Sequence, residues 1–483
     1  MLKKAETPLL DQLNHYIKTA KTGFHTPGHQ QEKGFDTDFL RMAGNYGLLK
    51  MDLTELEGLD DLRAPAGCLA ESQRLTAELF DADQTFYLVN GSTVGLQAAL
   101  LAVNKPGEKI MMPRHAHVSA MNGLVLSGGI PVFIPAEIDK EWGFPLGVSP
   151  DRLKAVQQQH SEATSVLWTN PEYRGTGADI SRAIKYFQTI SLTTIVDEAH
   201  GAHLYFQDDL PLSAQRLKPD ITVQSAHKTL PVFTQASLLH LNNTKWTDRV
   251  QTALCTLQTT SPSYLLLASL DAMQGQLRLH GRALFDGVLA VAETLRAGIQ
   301  GLAGYRVYAA NEEQGWYQDK TKVLVSAAEL GLSGWELEGL LHHGHGIRVE
   351  MSDYFYVLFL VHFGHTEEDA RRVLDALETI RRNIKRKPLA PCPISVGFLE
   401  HNLEPPVSPR EVFFAPKELV GLKDAAGRIA GEAWALYPPG IPLVQPGEII
   451  SLAQIEYILE AKSRKNKVQG IRPNDRVSVL VRE

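Results

Sequence analysis

Ser225-Ala226-His227-Lys228-Thr229-Leu230-Pro231 follows the apolar run Ile221-Thr222-Val223, which sets a lysine just past a buried strand, between small hydroxyl residues and a histidine. A lysine amine with a depressed pKa forms Schiff bases with aldehydes. Ser225 and His227 are types that hold a phosphate by hydrogen bonds while Lys228 holds the aldehyde carbon. Alone, the pattern also describes a helix-start lysine in solvent. Two further stretches favour the chemical reading. Thr194-Ile195-Val196-Asp197-Glu198-Ala199-His200-Gly201 is a hydrophobic strand ending in an acid, then Ala and His. An aspartate there can pair with a protonated pyridine nitrogen and make the ring an electron sink. Phe86-Tyr87-Leu88-Val89-Asn90-Gly91-Ser92-Thr93-Val94-Gly95 is a strand, a Gly-Ser-Thr turn and a helix start. Backbone N–H groups there, from Gly91 on, together with the Ser92 and Thr93 hydroxyls, form an anion site. The three motifs in this order describe a pocket for pyridoxal 5'-phosphate.

With His25-Thr26-Pro27-Gly28-His29 near the start and Tyr437-Pro438-Pro439-Gly440-Ile441-Pro442 near the end, the chain resembles the ornithine/lysine/arginine decarboxylases. These are pyridoxal-phosphate enzymes of the aspartate-aminotransferase fold type (fold type I). The resemblance covers nearly the whole chain, in the short form without an N-terminal receiver-like domain. It implies an α/β fold with a mostly parallel central sheet and smaller α+β domains. It also implies that His117, in Arg114-His115-Ala116-His117-Val118-Ser119, stacks on the cofactor ring, and Ala199 is then small enough to close the opposite face. Val118 stands where the family has Lys, which removes a cation but not the stacking. Thr169-Asn170-Pro171-Glu172-Tyr173-Arg174-Gly175 resembles Asn-Pro-Thr-Tyr-x-Gly, with Glu172 in place of Thr; Glu172 is expected to be a solvated loop acid. Ser261, in Thr259-Thr260-Ser261-Pro262-Ser263-Tyr264, either caps the following helix or serves the phosphate of a neighbouring subunit. Gly346-Ile347-Arg348-Val349-Glu350-Met351 resembles a turn lining the entrance, and Glu350 and Glu448 are the candidates for a basic substrate tail. Lys228 or His200 would return a proton to Cα. His25–His29 is either a turn with solvated histidines or part of the site and subunit contact. Asp52–Gly67 is expected to pack near the neighbouring subunit's cofactor.

Elements must place these residues together. From Ala70 onward, helical and strand patterns alternate: a helix over Glu71–Phe80, and strands at Gln84–Val89, Lys109–Pro113, Ile130–Ile134, Ser165–Asn170, Thr194–Val196 and Ile221–Gln224. Such alternation argues for a largely parallel sheet covered on both faces, with function at the carboxyl ends of the strands. Helices are expected at Leu265–Met273 and, separately, Val288–Gly298, with strands at Lys322–Val325 and Tyr356–Leu360. At 483 residues the chain should split into domains. The expected units are an N-terminal arm (1–69), a large cofactor-binding domain (70–283), a small α+β domain (284–384) and a C-terminal domain (390–483) joined by a linker over Lys385–Pro393.

The net charge of −7 argues against a nucleic-acid partner, and the short basic run Arg381–Lys387 reads as solvated linker. Cys68, Cys255 and Cys392 are far apart and show no metal spacing, as expected of free thiols in a reducing cytoplasm and of a protein with no metal site. No apolar stretch suggests a membrane span. The expected activity is decarboxylation of a basic amino acid by a homodimer or higher homo-oligomer with sites at the interface. Arginine, giving agmatine for polyamine synthesis, is the expected substrate, with lysine or ornithine as alternatives. An aminotransferase or lyase on the same scaffold would want an arginine clamp, for which Arg348 is the residue to watch. A non-catalytic cofactor-binding regulator would have lost Lys228 or Asp197, and both are present.

Overall fold

A computed structural model describes residues 5–19, 24–27, 29–31, 33–44, 47–384, 386–389, 404–437, 441–463 and 467–481. Short apolar runs, each bounded by turn residues, form the central sheet: β1 (Gln84–Leu88), β2 (Lys109–Pro113), β3 (Ile130–Ile134), β4 (Ser165–Thr169), β5 (Thr193–Asp197), β6 (Ile221–Gln224) and β7 (Ser237–Leu241). The strand order is β1-β7-β6-β5-β4-β2-β3. From β6 across to β3 every pairing is parallel, while β7 runs antiparallel to both of its neighbours. The parallel strands are buried along nearly their whole length, as strands covered on both faces must be.

One face packs on α1 (Gly91–Val103) and α2 (Val118–Ser127), in a cluster built from Leu96, Leu100, Leu124, Ile110, Leu167 and Ile195. The other face packs on the helices Pro150–Gln159 and Ser181–Thr189 through Leu153, Val156, Ile184 and Phe187. The strands expected from sequence are present; β7 was not foreseen, because Ser-Leu-Leu-His-Leu is a short run buried on both sides with no alternation to mark it.

A second sheet contains β8 (Arg306–Val307), β9 (Lys322–Ser326), β10 (Met351–Ser352) and β11 (Val357–Leu360), in the order β8-β9-β11-β10. The two helices expected at Leu265–Met273 and Val288–Gly298 are one helix, α3 (Tyr264–Gln300), 37 residues long. Gly275 and Gly281 interrupt its propensity but not its course: a Cβ at Gly275 would meet Thr7 Cγ2 at 2.8 Å, so the glycine is where another segment crosses closely. The boundary drawn at 283/284 therefore lies inside a continuous helix. A helical residue stripe over Glu367–Asn383 (α4) packs on α3, with a capping box from Thr366 and Asp369 at its start.

The C-terminal part carries two small three-stranded sheets around Trp434, Val444, Ile458 and Val477. Gly28, Lys385, Cys392 with the rest of residues 390–403, and Pro438–Gly440 lie outside the described residues. Among the described residues, no helix is long and apolar enough to cross a membrane.

Candidate active site

The carboxyl ends of β2, β4, β5 and β6 meet the start of α1 at one edge of the sheet. Register aligns Thr169 with Asp197 and Asp197 with Val223, so the residues that follow these strands emerge side by side. The cavity there is lined by Ser92, Leu96, His115, His117, Thr169, Pro171, Glu172, Tyr173, Asp197, Ala199, His200 and Lys228.

Lys228 sits in a one-turn helix, Ala226–Thr229, directly after β6. Its Nζ lies 2.8 Å from His200 Nε2. Burial pushes the ammonium down to about 8, with the Lys322 charge adding to the shift and Asp197 and Glu350 opposing it. Burial pushes Asp197 up to about 6, against the pull of Lys228 and of the Ala199 amide, which donates to Oδ1 at 3.1 Å. Strand alternation separates Asp197 from its neighbour Glu198. The Glu198 carboxylate turns away and is held by Gln224 Nε2 at 2.7 Å, Ser213 Oγ at 3.1 Å and the Ala214 amide. Partial burial, then the charges of Lys228 and Lys322, hold His200 well below the usual histidine range, so its ring is neutral.

At the start of α1, Gly91 has φ +73°, which a side chain would resist. Asn90 makes no side-chain cap, so the first amides of the helix are left for another acceptor. Ser225 Oγ donates to Ser92 Oγ at 2.6 Å, and Thr93 is exposed beside them. His227 is turned to the neighbouring segment: its backbone N–H and its Nδ1 both meet the Ala236 carbonyl, at 3.1 and 3.2 Å. His117 caps α2, accepting from the Ser119 amide at 3.3 Å, and is exposed, while Ala199, also on the cavity wall, is buried.

Several sequence expectations change. Glu172 is not a solvated loop acid: it is 8% exposed and accepts from His115 Nε2 at 2.8 Å. His115 itself was missed, although its place two residues before His117, just past β2, marked it. Glu448 does not reach the cavity. It is 2% exposed and paired with Arg114, whose guanidinium also donates to the Leu443 carbonyl at 3.1 Å. Glu448 Oε2 is taken by Arg114 and by the Gln445 amide at 3.0 Å. Glu350 stays close: the Tyr173 hydroxyl donates to its Oε1 at 2.6 Å, and the Tyr173 ring stands edge-on to His200 at 4.5 Å. Arg348 is exposed and meets His342 Nδ1 at 3.2 Å, outside the cavity lining. Ser261 is exposed and forms a local turn with Thr259 rather than a helix cap. His25 and His29 pair with the Tyr16 hydroxyl at 2.6 Å and with Asp52 at 3.1 Å, also away from the lining. Lys322, which sequence placed only as a strand residue, lies directly behind His200 and donates to its carbonyl at 2.9 Å.

Two buried polar atoms of the cavity wall, Thr169 Oγ1 and His115 Nδ1, have no hydrogen-bond partner among the described residues. Together with a half-buried amine, a raised carboxyl and an uncapped helix start, they describe a cavity built around a polar, anionic molecule.

Comparison with known proteins agrees. The family model described as "Orn/Lys/Arg decarboxylase, major domain" matches residues 7–314, and the corresponding C-terminal domain model matches residues 395–475. An arginine decarboxylase of Bacillus subtilis is 37% identical over 100% of this chain and 98% of its own length, and one of Bacillus anthracis is 35% identical over 97% and 95%. A lysine decarboxylase of Hafnia alvei is 22% identical over 92% of this chain and 72% of its own. Among solved structures, a lysine decarboxylase of Francisella novicida superposes with a TM-score of 0.86 at 17% identity, covering 98% of this chain and 81% of that one. The Escherichia coli constitutive lysine decarboxylase gives 0.84 at 19%, covering 99% and 82%. The ureidoglycine-glyoxylate aminotransferase of Bacillus subtilis shares the fold at 0.54 and 15%, covering 67% and 86%. The resemblance read from the motifs and the fold type I architecture are thus both borne out, and the chain belongs to the Orn/Lys/Arg decarboxylase family.

Proposed function

We propose that the protein decarboxylates L-arginine to agmatine and CO2 with pyridoxal 5'-phosphate held in the Lys228 cavity. The observation that carries this is Lys228 Nζ, 2.8 Å from His200 Nε2, brought down to about 8 in a cavity it shares with Asp197 at the strand ends. The choice of arginine is supported by full-length relatives named arginine decarboxylase, which are much closer than those named lysine decarboxylase.

The residues fit the cofactor. Ser92, Thr93, Ser225, His227 and the amides from Gly91 onward would hold its phosphate, and Asp197 its pyridine nitrogen. His117 and Ala199 would bound its two faces, and Lys228 its aldehyde carbon. When bound, pyridoxal phosphate supplies a ring that takes up the electron pair left as CO2 departs. Asp197 would keep that nitrogen protonated, and a cation at its carboxylate would bring the carboxyl back down into its ionised form. Lys228, with much of its population neutral near pH 8, is the amine nucleophile. Neutral His200 lies with Nε2 2.8 Å from Lys228 Nζ and would orient the amine, and Lys228 or His200 would return a proton to Cα. Glu350, with Tyr173, faces the basic tail of the substrate. Ser261, exposed on this subunit, serves the phosphate of a second one, in a cytoplasmic homodimer making agmatine for polyamine synthesis.

The test is steady-state turnover of arginine, lysine and ornithine, with CO2 and amine both measured. Arginine should lead in kcat/KM by at least about a hundredfold, roughly 2.7 kcal/mol. Better turnover of lysine or ornithine defeats the substrate assignment, and no CO2 from any of the three defeats the reaction.

A further inference from the structure

Behind the cavity lies a charged cluster that the proposed chemistry does not use. Lys322 on β9 is 1% exposed and Asp319 is fully shielded. Lys322 Nζ lies 3.5 Å from Asp319 Oδ2. Asp319 also accepts from His203 Nε2 at 2.9 Å and from the Thr321 hydroxyl at 2.7 Å. The Asp319 amide donates to the Gly175 carbonyl at 2.8 Å, and Gln318 Nε2 donates to the Arg174 carbonyl at 3.0 Å. A Cβ at Gly175 would come within 2.8 Å of Lys322 Cδ, so the loop after Tyr173 closes directly over the lysine stem.

A buried ion pair gives little net stability, because desolvating two charges offsets their attraction. Stability alone is therefore a weak account of a lysine placed here. Its remaining polar contact points toward the site: Nζ donates to the His200 carbonyl at 2.9 Å. On its other side, the His200 ring meets Lys228 Nζ at 2.8 Å and the edge of Tyr173. Asp319, held by the second sheet and by the Gly175 loop, fixes Lys322; Lys322 fixes the His200 backbone; the His200 ring then has one place to stand.

We propose that Lys322 is a positioning residue for the reactive lysine, acting through its grip on the His200 carbonyl to hold the imidazole against Lys228 Nζ. The inference rests on the reading of Lys228 as the amine that takes up the cofactor. A loop displacement near 1 Å at such a site costs rate out of proportion to its size.

The test uses cofactor-free full-length protein and follows the uptake of pyridoxal phosphate by absorbance, then borohydride fixation and peptide mapping. Lys322→Met should slow uptake at neutral pH by about tenfold or more in the wild-type background. In a His200→Ala background, where no imidazole is left to position, the same substitution should change the rate by about threefold or less. If Lys322→Met alone fails to fold, Asp319→Asn/Lys322→Met removes both charges of the pair and is measured in the same two backgrounds. Equal slowing in both backgrounds, or unchanged uptake in the wild-type background, overturns the proposal. A merely structural role would lower the unfolding temperature equally in both and leave the uptake rate of folded protein alone. Label on a lysine other than Lys228 overturns the cofactor reading instead, and is seen in the peptide map whatever the rates are.

Discussion

The Glu172 carboxylate accepts a hydrogen bond from His115 Nε2 at 2.8 Å, with both side chains closed off from solvent and both on the wall of the Lys228 cavity. The pair joins the end of β2 to the loop after β4.

Glu172→Ala should therefore cost more than a loop substitution. It leaves His115 without its partner while Nδ1 is already unpaired, and a stranded buried donor costs about 1–3 kcal/mol. Glu172→Gln keeps an acceptor and should cost less. Denaturant unfolding of the cofactor-free protein checks both, and an alanine variant within about 0.5 kcal/mol of wild type would show the pair to be idle.

Asp197→Asn should abolish most turnover and yet stabilise the cofactor-free protein at neutral pH. The folded carboxyl titrates at about 6, above its unfolded value of 3.8. Between those values the folded state keeps a proton that the unfolded state has released, so stability is full below the lower value and is lost as pH rises through the higher one. The loss amounts to about 3 kcal/mol. Asparagine removes it, so the stabilisation should be present at pH 7 and vanish near pH 4. Thermal unfolding at both values decides the matter; a destabilised Asn variant at pH 7 contradicts it.

Arg114 and Glu448 tie the C-terminal part to the end of β2. Arg114→Met leaves a buried carboxylate without its cation and should cost about 3–5 kcal/mol. The double variant Arg114→Met/Glu448→Gln should recover most of the loss. No recovery in unfolding experiments would mean that the lost bonds to the Leu443 and Pro442 carbonyls dominate.

Glu350→Gln should raise KM for arginine by at least about tenfold, roughly 1.4 kcal/mol, with a smaller change in kcat. The substitution keeps an acceptor for Tyr173 but removes the negative charge. An unchanged KM would take Glu350 out of substrate recognition.

The sheet was legible because its parallel strands are continuous apolar runs broken by Gly, Pro and polar turns. Lys228, Asp197, His117 and Ser92 stood out because each is a polar residue just past such a run, and the structure brings them to one cavity. Glu172 and His115 were illegible as a pair: they are 57 residues apart in sequence, and each resembles a surface residue until the other is placed against it. Glu448 failed for the same reason, since its partner Arg114 is 334 residues away in sequence. Lys322 was hidden inside a strand pattern, where a lysine ordinarily marks a solvent-facing position. The single helix α3 was read as two because its interior glycines look like a break, and only the segments packed against them explain why they are there.

That helix has a mechanical consequence. At 37 residues it is about 55 Å long. It begins beside the segment carrying Ser261 and ends against the second sheet and α4. A hinge needs a few residues free to change φ and ψ, and this covalent joint offers none, since the chain passes from one sheet region to the other as a rod. The short ribbon of Thr176–Ala178 with Trp316–Gln318 supplies a second strut close to the cavity. Rotation of one sheet against the other would have to bend the rod and shear the strut together.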